Sequence, residues 1–411
     1  MTIGFLLGLF SIFLSDTIPT STDAILETAF SDLAYTSLEE RNSFYQQNSN
    51  HVSYLDHMEL RTRSRNFDPR EQMFRFRTYT NSPSERKYSR EYLSATYTEQ
   101  NLDKKAQLNT LLKQRYRLIA ASFIDKKKMM AMEELGILLG ERRNVLEKSI
   151  DNIDFDFQDL LKAEEDYDHF LLESIDVERK FQQHEEEIRN LLGTEQTVGV
   201  SQNDFVSVSD IRVFLSQFEY DLEQNNFYYE RQKLDKQLAE LDYLGSRASK
   251  RNPVKFFEAS YRDVPGEGFR RDLAIGIGFR IPLGSAGKGG LLDRQFKLMK
   301  EENMLSQLSV ELKEEIRQTI INLQTLLKKH QALSGMIDND LQQRSLEKYR
   351  EIDGISPLIL LKIRENILSK HLLATDLELD ILYEYIELLD ISGMLVREPF
   401  INYFNSSEDF Y

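Results

Sequence analysis

The sequence predicts a mainly α protein with a small β part, built from long antiparallel helical hairpins and two β-hairpins. Only 8 prolines and 18 glycines interrupt the 411 residues, and long stretches contain neither. Those stretches carry apolar residues three and four positions apart, which is the period of one helix face. In two places the period changes to two, which is the alternation of a strand.

The longest helical patterns fall into two comparable sets. The first set covers about 86–149 and 159–192, and the second covers about 291–351 and 356–395. A further helix is predicted over about 209–247. At a rise of 1.5 Å per residue, the longest patterns would form helices of ~90 Å. Such helices cannot bury themselves in an ordinary globule, so we expect antiparallel coiled-coil pairs or assembly with other chains.

Each β-hairpin is predicted from an alternating pattern beside a turn signal. In the first, about 51–80, two phenylalanines alternate with arginines after an Asp-Pro turn. In the second, about 253–283, the strand VKFFEASYRD precedes a strand whose large apolar residues are separated by Gly276, Gly278 and Arg280, among others. The large apolar residues of that last strand are Leu273, Ile275, Ile277, Phe279 and Ile281.

Four strands cannot close a barrel alone, and their open edges would be unsatisfied in lipid. The sheet is therefore predicted to be shared between chains. Strands of about 9–11 residues that alternate large apolar with small or charged residues fit a membrane β-segment. The five large apolar residues would then face lipid, and Gly276, Gly278 and Arg280 would face a watery lumen. An ordinary hairpin packed on a helical core fits the same period.

Helix, hairpin and long helix pair occur twice, which indicates an internal repeat. The first repeat is assigned to residues 20–208, the second to 209–396, and 397–411 form a C-terminal tail with a frayed acidic ending. Residues 1–19 are predicted to be a signal peptide, because the apolar run 3–14 has the length of a signal core and is too short to span a membrane. A buried N-terminal helix is the alternative.

Three segments carry a resemblance to a known family. NPVKFFEASYRD with LAIGIGFRIPLGSAGKGG looks like a second hairpin with a Pro-Leu-Gly exit into the next helix. Tyr349 to Leu395 resembles a C-terminal turn and returning helix that ends near Gly393, and Phe157 to Gly193 resembles the same segment of the first repeat. In this order and spacing they are similar to the TolC-like outer-membrane efflux proteins over most of the chain. The arginine-rich first hairpin is the poorest match.

The resemblance implies a homotrimer in which each protomer gives four strands to one twelve-stranded transmembrane β-barrel. The helices would form an α-barrel in the periplasm. It further implies a channel for efflux or secretion in the outer membrane of a Gram-negative-type cell, in contact with outer-membrane lipid. Its partners would be a periplasmic adaptor protein and an inner-membrane transporter. A non-enzymatic periplasmic or cytosolic coiled-coil scaffold protein is the alternative.

Composition and motifs argue against several other functions. The net charge of -16 disfavours a nucleic-acid partner, and the absence of cysteine removes thiolate metal sites and a cysteine nucleophile. LGSAGKGG is not a phosphate loop, because Pro282 stands where its first glycine is needed and no Ser or Thr follows Lys288. The six histidines form no ligand pair at helical spacing. We therefore predict no enzymatic activity, no catalytic residue, no cofactor and no metal.

Two helix-to-helix turns are predicted to lie together at the end farthest from the hairpins, because similar lengths of helix separate each from its hairpin. The first turn is acidic, and three copies of it would form a carboxylate ring; helix capping is the simpler role for Asp156 or Asp159. In the second turn, Gly354 permits a tight reversal and Pro357 suits a first helical turn. The predicted periplasmic entrance and adaptor-docking residues are Asp151, Asp154, Phe155, Asp156, Asp159, Gly354, Ile355, Ser356, Pro357 and Leu358.

Overall fold

The structure is a computed structural model that describes residues 18–48, 52–64, 72–151, 155–196, 198–200, 205–220, 222, 226–262, 273–280, 288–338 and 356–405. The chain divides into two compact units. The first comprises Met1–Tyr35, Gln107–Asn226 and Leu312–Tyr411, and the second comprises Thr36–Ala106 and Phe227–Glu311.

In the described residues, two long helices follow each pair of long strands. The helices are α1 (Thr22–Ser31), α2 (Leu33–Asn48), α3 (Pro83–Lys148), α4 (Phe157–Leu192), α5 (Val208–Gln217), α6 (Phe227–Arg251), α7 (Lys288–Asp338) and α8 (Pro357–Ile391), followed by a short 3-10 helix (Met394–Val396). The strands are β1 (Ile18–Thr20), β2 (Leu55–Ser64), β3 (Gln72–Thr80), β4 (Val198–Val200), β5 (Val254–Arg262) and β6 (Leu273–Phe279).

The four longest helical predictions are confirmed by α3, α4, α7 and α8, although residues 339–351 of the third lie outside the described residues. Glycine ends two of these segments. Gly193 has φ 62° after α4 and Gly393 has φ 73° after α8, both in the left-handed region that glycine enters without steric cost. The helices therefore end near these glycines, as predicted, because the chain there adopts a left-handed conformation.

The single helix predicted over 209–247 is wrong, because residues 218–220 and 226, which lie between α5 and α6, are not helical. After α5 the backbone turns extended at Phe218, whose ring stacks on Tyr220 with centroids 6.0 Å apart. Just before α6, the buried Asn226 side chain donates a hydrogen bond of 2.7 Å to the carbonyl of Ile391 at the end of α8. The spacing of apolar residues near Asn226 cannot reveal a contact with a residue so distant in sequence, so the break was not predicted.

The first unit has an aromatic core that includes part of the predicted C-terminal tail. Tyr403 and Phe404 are buried, and the backbone N–H of Tyr403 donates to the hydroxyl of Tyr116 at 3.0 Å. The beginning of the tail is thus part of the core, whereas residues 406–411 lie outside the described residues. Strand β1 pairs in parallel with β4, which places Ile18 and Pro19 of the predicted signal peptide in a strand. Residues 1–17 lie outside the described part.

The second unit contains a four-stranded sheet with the order β2-β3-β5-β6. All three neighbouring pairs are antiparallel, so β2 with β3 and β5 with β6 form the two predicted hairpins. The β3–β5 pair joins the hairpins into one sheet whose edges are β2 and β6. None of the described helices is both long and apolar enough to cross a membrane.

Candidate functional site

The strand register of the sheet separates its side chains into two faces, because directly paired residues share a face. One row of pairs runs Leu60, Phe76, Ala259 and Ile275 across all four strands. We call this side the apolar face. It comprises Met58, Leu60, Thr62, Phe74, Phe76, Thr78, Phe257, Ala259, Tyr261, Leu273, Ile275 and Ile277, and the alternation of β6 adds Phe279.

Large side chains of the apolar face are exposed. Ile275 is 81% exposed, Leu60 68% and Phe279 67%, values that a core-packed hairpin would not have. Leu273 and Ile277 are exposed as well. Four of the five residues predicted to face lipid thus lie together on one exposed apolar surface. The fifth, Ile281, lies outside the described residues.

The opposite side, which we call the polar face, carries arginines paired to glutamates. It comprises Glu59, Arg61, Arg63, Met73, Arg75, Arg77, Tyr79, Phe256, Glu258, Ser260, Arg262, Ala274, Gly276 and Gly278. Glu258 of the second hairpin accepts from Arg77 at 2.5 Å and lies 3.1 Å from the Nε of Arg75, both in the first hairpin. Arg61 contacts Glu59 at 2.5 Å.

The ion pairs between these arginines and Glu258 were not predicted from the sequence. There, the arginines only make the first hairpin the poorest match to the family. The signal that could have found these ion pairs is the shared period of two. Arg75 and Arg77 occupy one face of their strand, and Glu258 occupies the corresponding face of VKFFEASYRD. Opposite charges at the same period in consecutive predicted hairpins favour a cross-strand ion pair.

A close contact on the polar face leaves no space for a side chain at Gly278. A Cβ built at Gly278 would lie 2.5 Å from ring carbons of Phe256, its cross-strand partner. A Gly278→Ser change, which the alternation alone predicts to be mild on a lumen face, therefore requires the Phe256 ring to move. Gly276 differs, because a Cβ there would lie 3.9 Å from the Cβ of Glu258, an ordinary contact.

The first unit brings together the end of α3 and the beginnings of α4 and α8, the region where the two turns were predicted to meet. Asp156 is the N-cap of α4 and accepts from the backbone N–H of Gln158 at 2.8 Å. Asp159, in the first turn of α4, lies 3.6 Å from Lys362 of α8, and both side chains are half exposed. Capping is therefore an observed role of Asp156.

The predicted entrance residues are present on this surface where the structure describes them. Asp151, Ser356 and Pro357 are exposed, while Phe155 and Leu358 are partly buried. Pro357 is the first residue of α8, as predicted. Asp154, Gly354 and Ile355 lie outside the described residues. A groove beside the predicted residues is lined by Glu141, Asn144, Val145, Lys148, Pro357, Leu360, Leu361 and Arg364.

Arg142 holds these three helices together and was not found from the sequence. Its side chain is 5% exposed and donates from α3 to both carboxylate oxygens of Glu365 on α8 at 3.0 Å, and to Asp166 on α4 at 2.9 Å. Burial disfavours the charged guanidinium, but the hydrogen bonds to Glu365 and Asp166 outweigh it and raise the pKa of Arg142. The arginine therefore stays charged and keeps both carboxylate partners paired.

No protein-family model matches the sequence, and no relative is found among curated proteins. Solved structures do match. A structure of CusC, solved in work on its folding and transmembrane channel formation, is similar to this chain. It aligns with a TM-score of 0.67 at 11% identity, covering 93% of this chain and 96% of that chain. The outer membrane protein VceC of Vibrio cholerae aligns with a TM-score of 0.66 at 12% identity, covering 90% and 96%.

The open state of the MtrE outer membrane channel of Neisseria gonorrhoeae aligns with a TM-score of 0.66 at 12% identity, covering 93% of this chain and 94% of that chain. At such identities the similarity shows the fold. It agrees with the predicted fold class, a mainly α chain of long helical hairpins with a small four-stranded β part. The chain has the fold of the TolC-like outer-membrane efflux channels.

Proposed function

We propose that the chain is one protomer of a trimeric outer-membrane channel with a periplasmic duct, which works in efflux or secretion. The observation that supports this most is the two-faced sheet in the second unit. Its apolar face is exposed, with Ile275 at 81%, while its other face carries charged and small residues. A sheet of this kind suits a wall with lipid on one side and water on the other.

The free edges of the sheet support a shared barrel. Strands β2 and β6 each have one sheet neighbour among the described residues. In a membrane their unpaired backbone groups would each cost several kcal/mol, so closure with other copies is required. Three copies with four strands each give an even-numbered barrel of twelve, as in the family that the sequence resembles.

The channel would work without chemistry of its own. Solute would enter the periplasmic helical duct, pass through the barrel and leave the cell, with the energy supplied by an inner-membrane transporter. A periplasmic adaptor would dock at the surface formed by the ends of α3, α4 and α8, where Asp151, Ser356 and Pro357 are exposed. The sheet would lie in the outer membrane of a Gram-negative-type cell, with an export signal in residues 1–19.

Cell fractionation tests this function against the scaffold alternative. The full chain, with a tag after Tyr411, would be expressed in its own type of host, and membranes separated by density. We expect the protein in the outer-membrane fraction, resistant to urea extraction and lacking its N-terminal residues. Recovery in the soluble fraction with the N-terminus intact would favour the coiled-coil scaffold. A variant with Ile275→Arg and Ile277→Arg is the matched control and should lose membrane association.

A further inference from the structure

We propose that the polar face of the sheet selects anionic solutes, so that the channel carries organic acids bearing carboxylate, sulfonate or phosphate groups in preference to cations. This inference rests on the proposed function, because the polar face lines a passage only when the sheet closes into a barrel. It concerns the arginines of the sheet, four in the first hairpin, which the resemblance does not explain, and Arg262 in the second.

The polar face is positively charged in a chain that is otherwise acidic. The full sequence has a net charge of -16. The polar face has five arginines against two glutamates, an excess of three positive charges, and its charged members are Arg61, Arg63, Arg75, Arg77, Arg262, Glu59 and Glu258. Three copies around one axis would triple that excess over three neighbouring cross-strand rows of the passage.

Both glutamates are held by arginines of the same face. Glu258 lies between Arg75 and Arg77, and Glu59 contacts Arg61. Each carboxylate is therefore at least neutralised locally, and the pair of arginines around Glu258 leaves one positive charge in excess. The paired arginines therefore offset the negative charge of both glutamates.

Two further arginines form the end of the polar face nearest the hairpin loops. Arg63 and Arg262 flank Met73 in one cross-strand row, and both are exposed. Among the residues that the structure describes, no carboxylate lies within the 4.0 Å ion-pair distance of either. Their guanidinium groups are on the exposed part of the polar face.

The fourth strand adds little side-chain bulk to the polar face. On the polar face, β6 carries only Ala274, Gly276 and Gly278. Ala274 and Gly276 place little side-chain bulk beside the charged residues of β5, whereas the ring of Phe256 lies over Gly278. Guanidinium is planar and donates in parallel pairs, which matches carboxylate and phosphate oxygens. Like-signed charges on a low-dielectric wall raise the local concentration of counter-ions, which makes such a ring a filter for anions.

Phosphate groups of lipid are a second source of the same ligand chemistry. The polar face lies opposite the apolar face, so lipid phosphates would reach only its ends, one of which carries Arg63 and Arg262. A bilayer of phosphatidylcholine carries no net charge, because choline balances each phosphate, so chloride is the only mobile anion and a selectivity that changes with the arginines is attributed to the solute.

The test is the ion selectivity of the purified full chain in a phosphatidylcholine bilayer under a tenfold gradient of potassium chloride. We expect a chloride-to-potassium permeability ratio above one. Arg63→Glu with Arg262→Glu changes the face from three positive charges in excess to one negative, so the ratio should fall several-fold to below one. Arg63→Lys with Arg262→Lys keeps the charge and should keep the ratio.

Failure of this inference is distinguishable from failure of the proposed function. Open channels that prefer potassium, or a reversed variant with the wild-type ratio, would overturn anion selection and leave the channel assignment intact. Absence of any conductance from inserted wild-type protein would overturn both. Should the reversed variant fail to insert, Arg63→Gln with Arg262→Gln gives the same test, with an intermediate ratio expected and an unchanged ratio contradicting the proposal.

Discussion

The Nε of Arg77 donates a hydrogen bond of 2.5 Å to a carboxylate oxygen of Glu258, and this contact joins the first β-hairpin to the second. Arg75 lies 3.1 Å from the other oxygen of the same carboxylate. Because Arg75 and Arg77 lie on one face of β3, loss of Glu258 would leave two like charges side by side. The junction between the hairpins thus depends on electrostatics as well as on the backbone ladder.

We expect Glu258→Gln to destabilise the folded sheet by about 1–3 kcal/mol, the range for a lost hydrogen bond to a charged partner. The measurement is the denaturant midpoint of the protein folded in detergent. Arg77→Met in a wild-type and in a Glu258→Gln background completes a double-mutant cycle. Additive effects of the two changes would show that the contact is not formed in solution.

An arginine on the apolar face should block assembly in the membrane. Ile277→Arg is expected to cost about 2–4 kcal/mol if the residue lies near the bilayer midplane. The matched control is Gly276→Arg, one residue earlier on the polar face, where the new side chain lies beside Glu258. The fraction of heat-resistant oligomer in outer membranes measures the effect. Equal losses for the two variants would refute the assigned facing.

The sequence predicts the elements whose signal is local. The alternation in β6 survives in the structure because each side chain of a strand takes one of two faces, and the glycine stop at Gly193 survives because φ 62° disfavours other residues. Both features are set by residues only a few positions apart, so the local sequence is enough to predict them.

The sequence does not predict the contacts that join distant segments. Arg77 and Glu258 are 181 positions apart, and Arg142 and Glu365 are 223 positions apart. A register shift of one residue would move each side chain to the other face, so the period of two suggests which residues share a face of one strand, and the strand pairing defines the polar face of the sheet. The break between α5 and α6 was missed for the same reason, since Asn226 is held by Ile391 of another helix.

A buried glutamate in α4 should make the helical part of the protein less stable as pH rises. Glu185 is 6% exposed, and one of its carboxylate oxygens has no hydrogen-bond partner among the described residues. Burial raises its pKa in the folded state, an effect that Arg189 and Lys126 only partly oppose. The folded state thus binds this proton more tightly, so stability is greatest below the unfolded-state pKa of about 4.3 and declines as pH rises through the folded-state pKa.

Glu185→Gln should therefore raise the thermal midpoint at pH 7, followed by far-UV circular dichroism, with a gain that shrinks toward pH 4. Glu186→Gln, at the exposed neighbouring position, is the control and should change the midpoint little. A gain that does not depend on pH would contradict the role of ionisation.

The surface at the beginnings of α4 and α8 should contact the adaptor in cells. Because the chain has no cysteine, Asp151→Cys and Ser356→Cys each provide one attachment point for a crosslinker. We expect both to capture a periplasmic protein with a coiled-coil hairpin, identified by mass spectrometry. Thr194→Cys, just beyond Gly193, is the comparison site. Capture at Thr194 with none at Ser356 or Asp151 would move the docking surface away from this region.

Native mass spectrometry of the wild-type protein extracted from outer membranes in mild detergent tests the central claim most directly. The sheet has two edge strands, β2 and β6, which only other copies can pair in a closed barrel. We predict a single species of three chain masses. A monodisperse monomer that retains its β-structure signal would contradict the shared barrel.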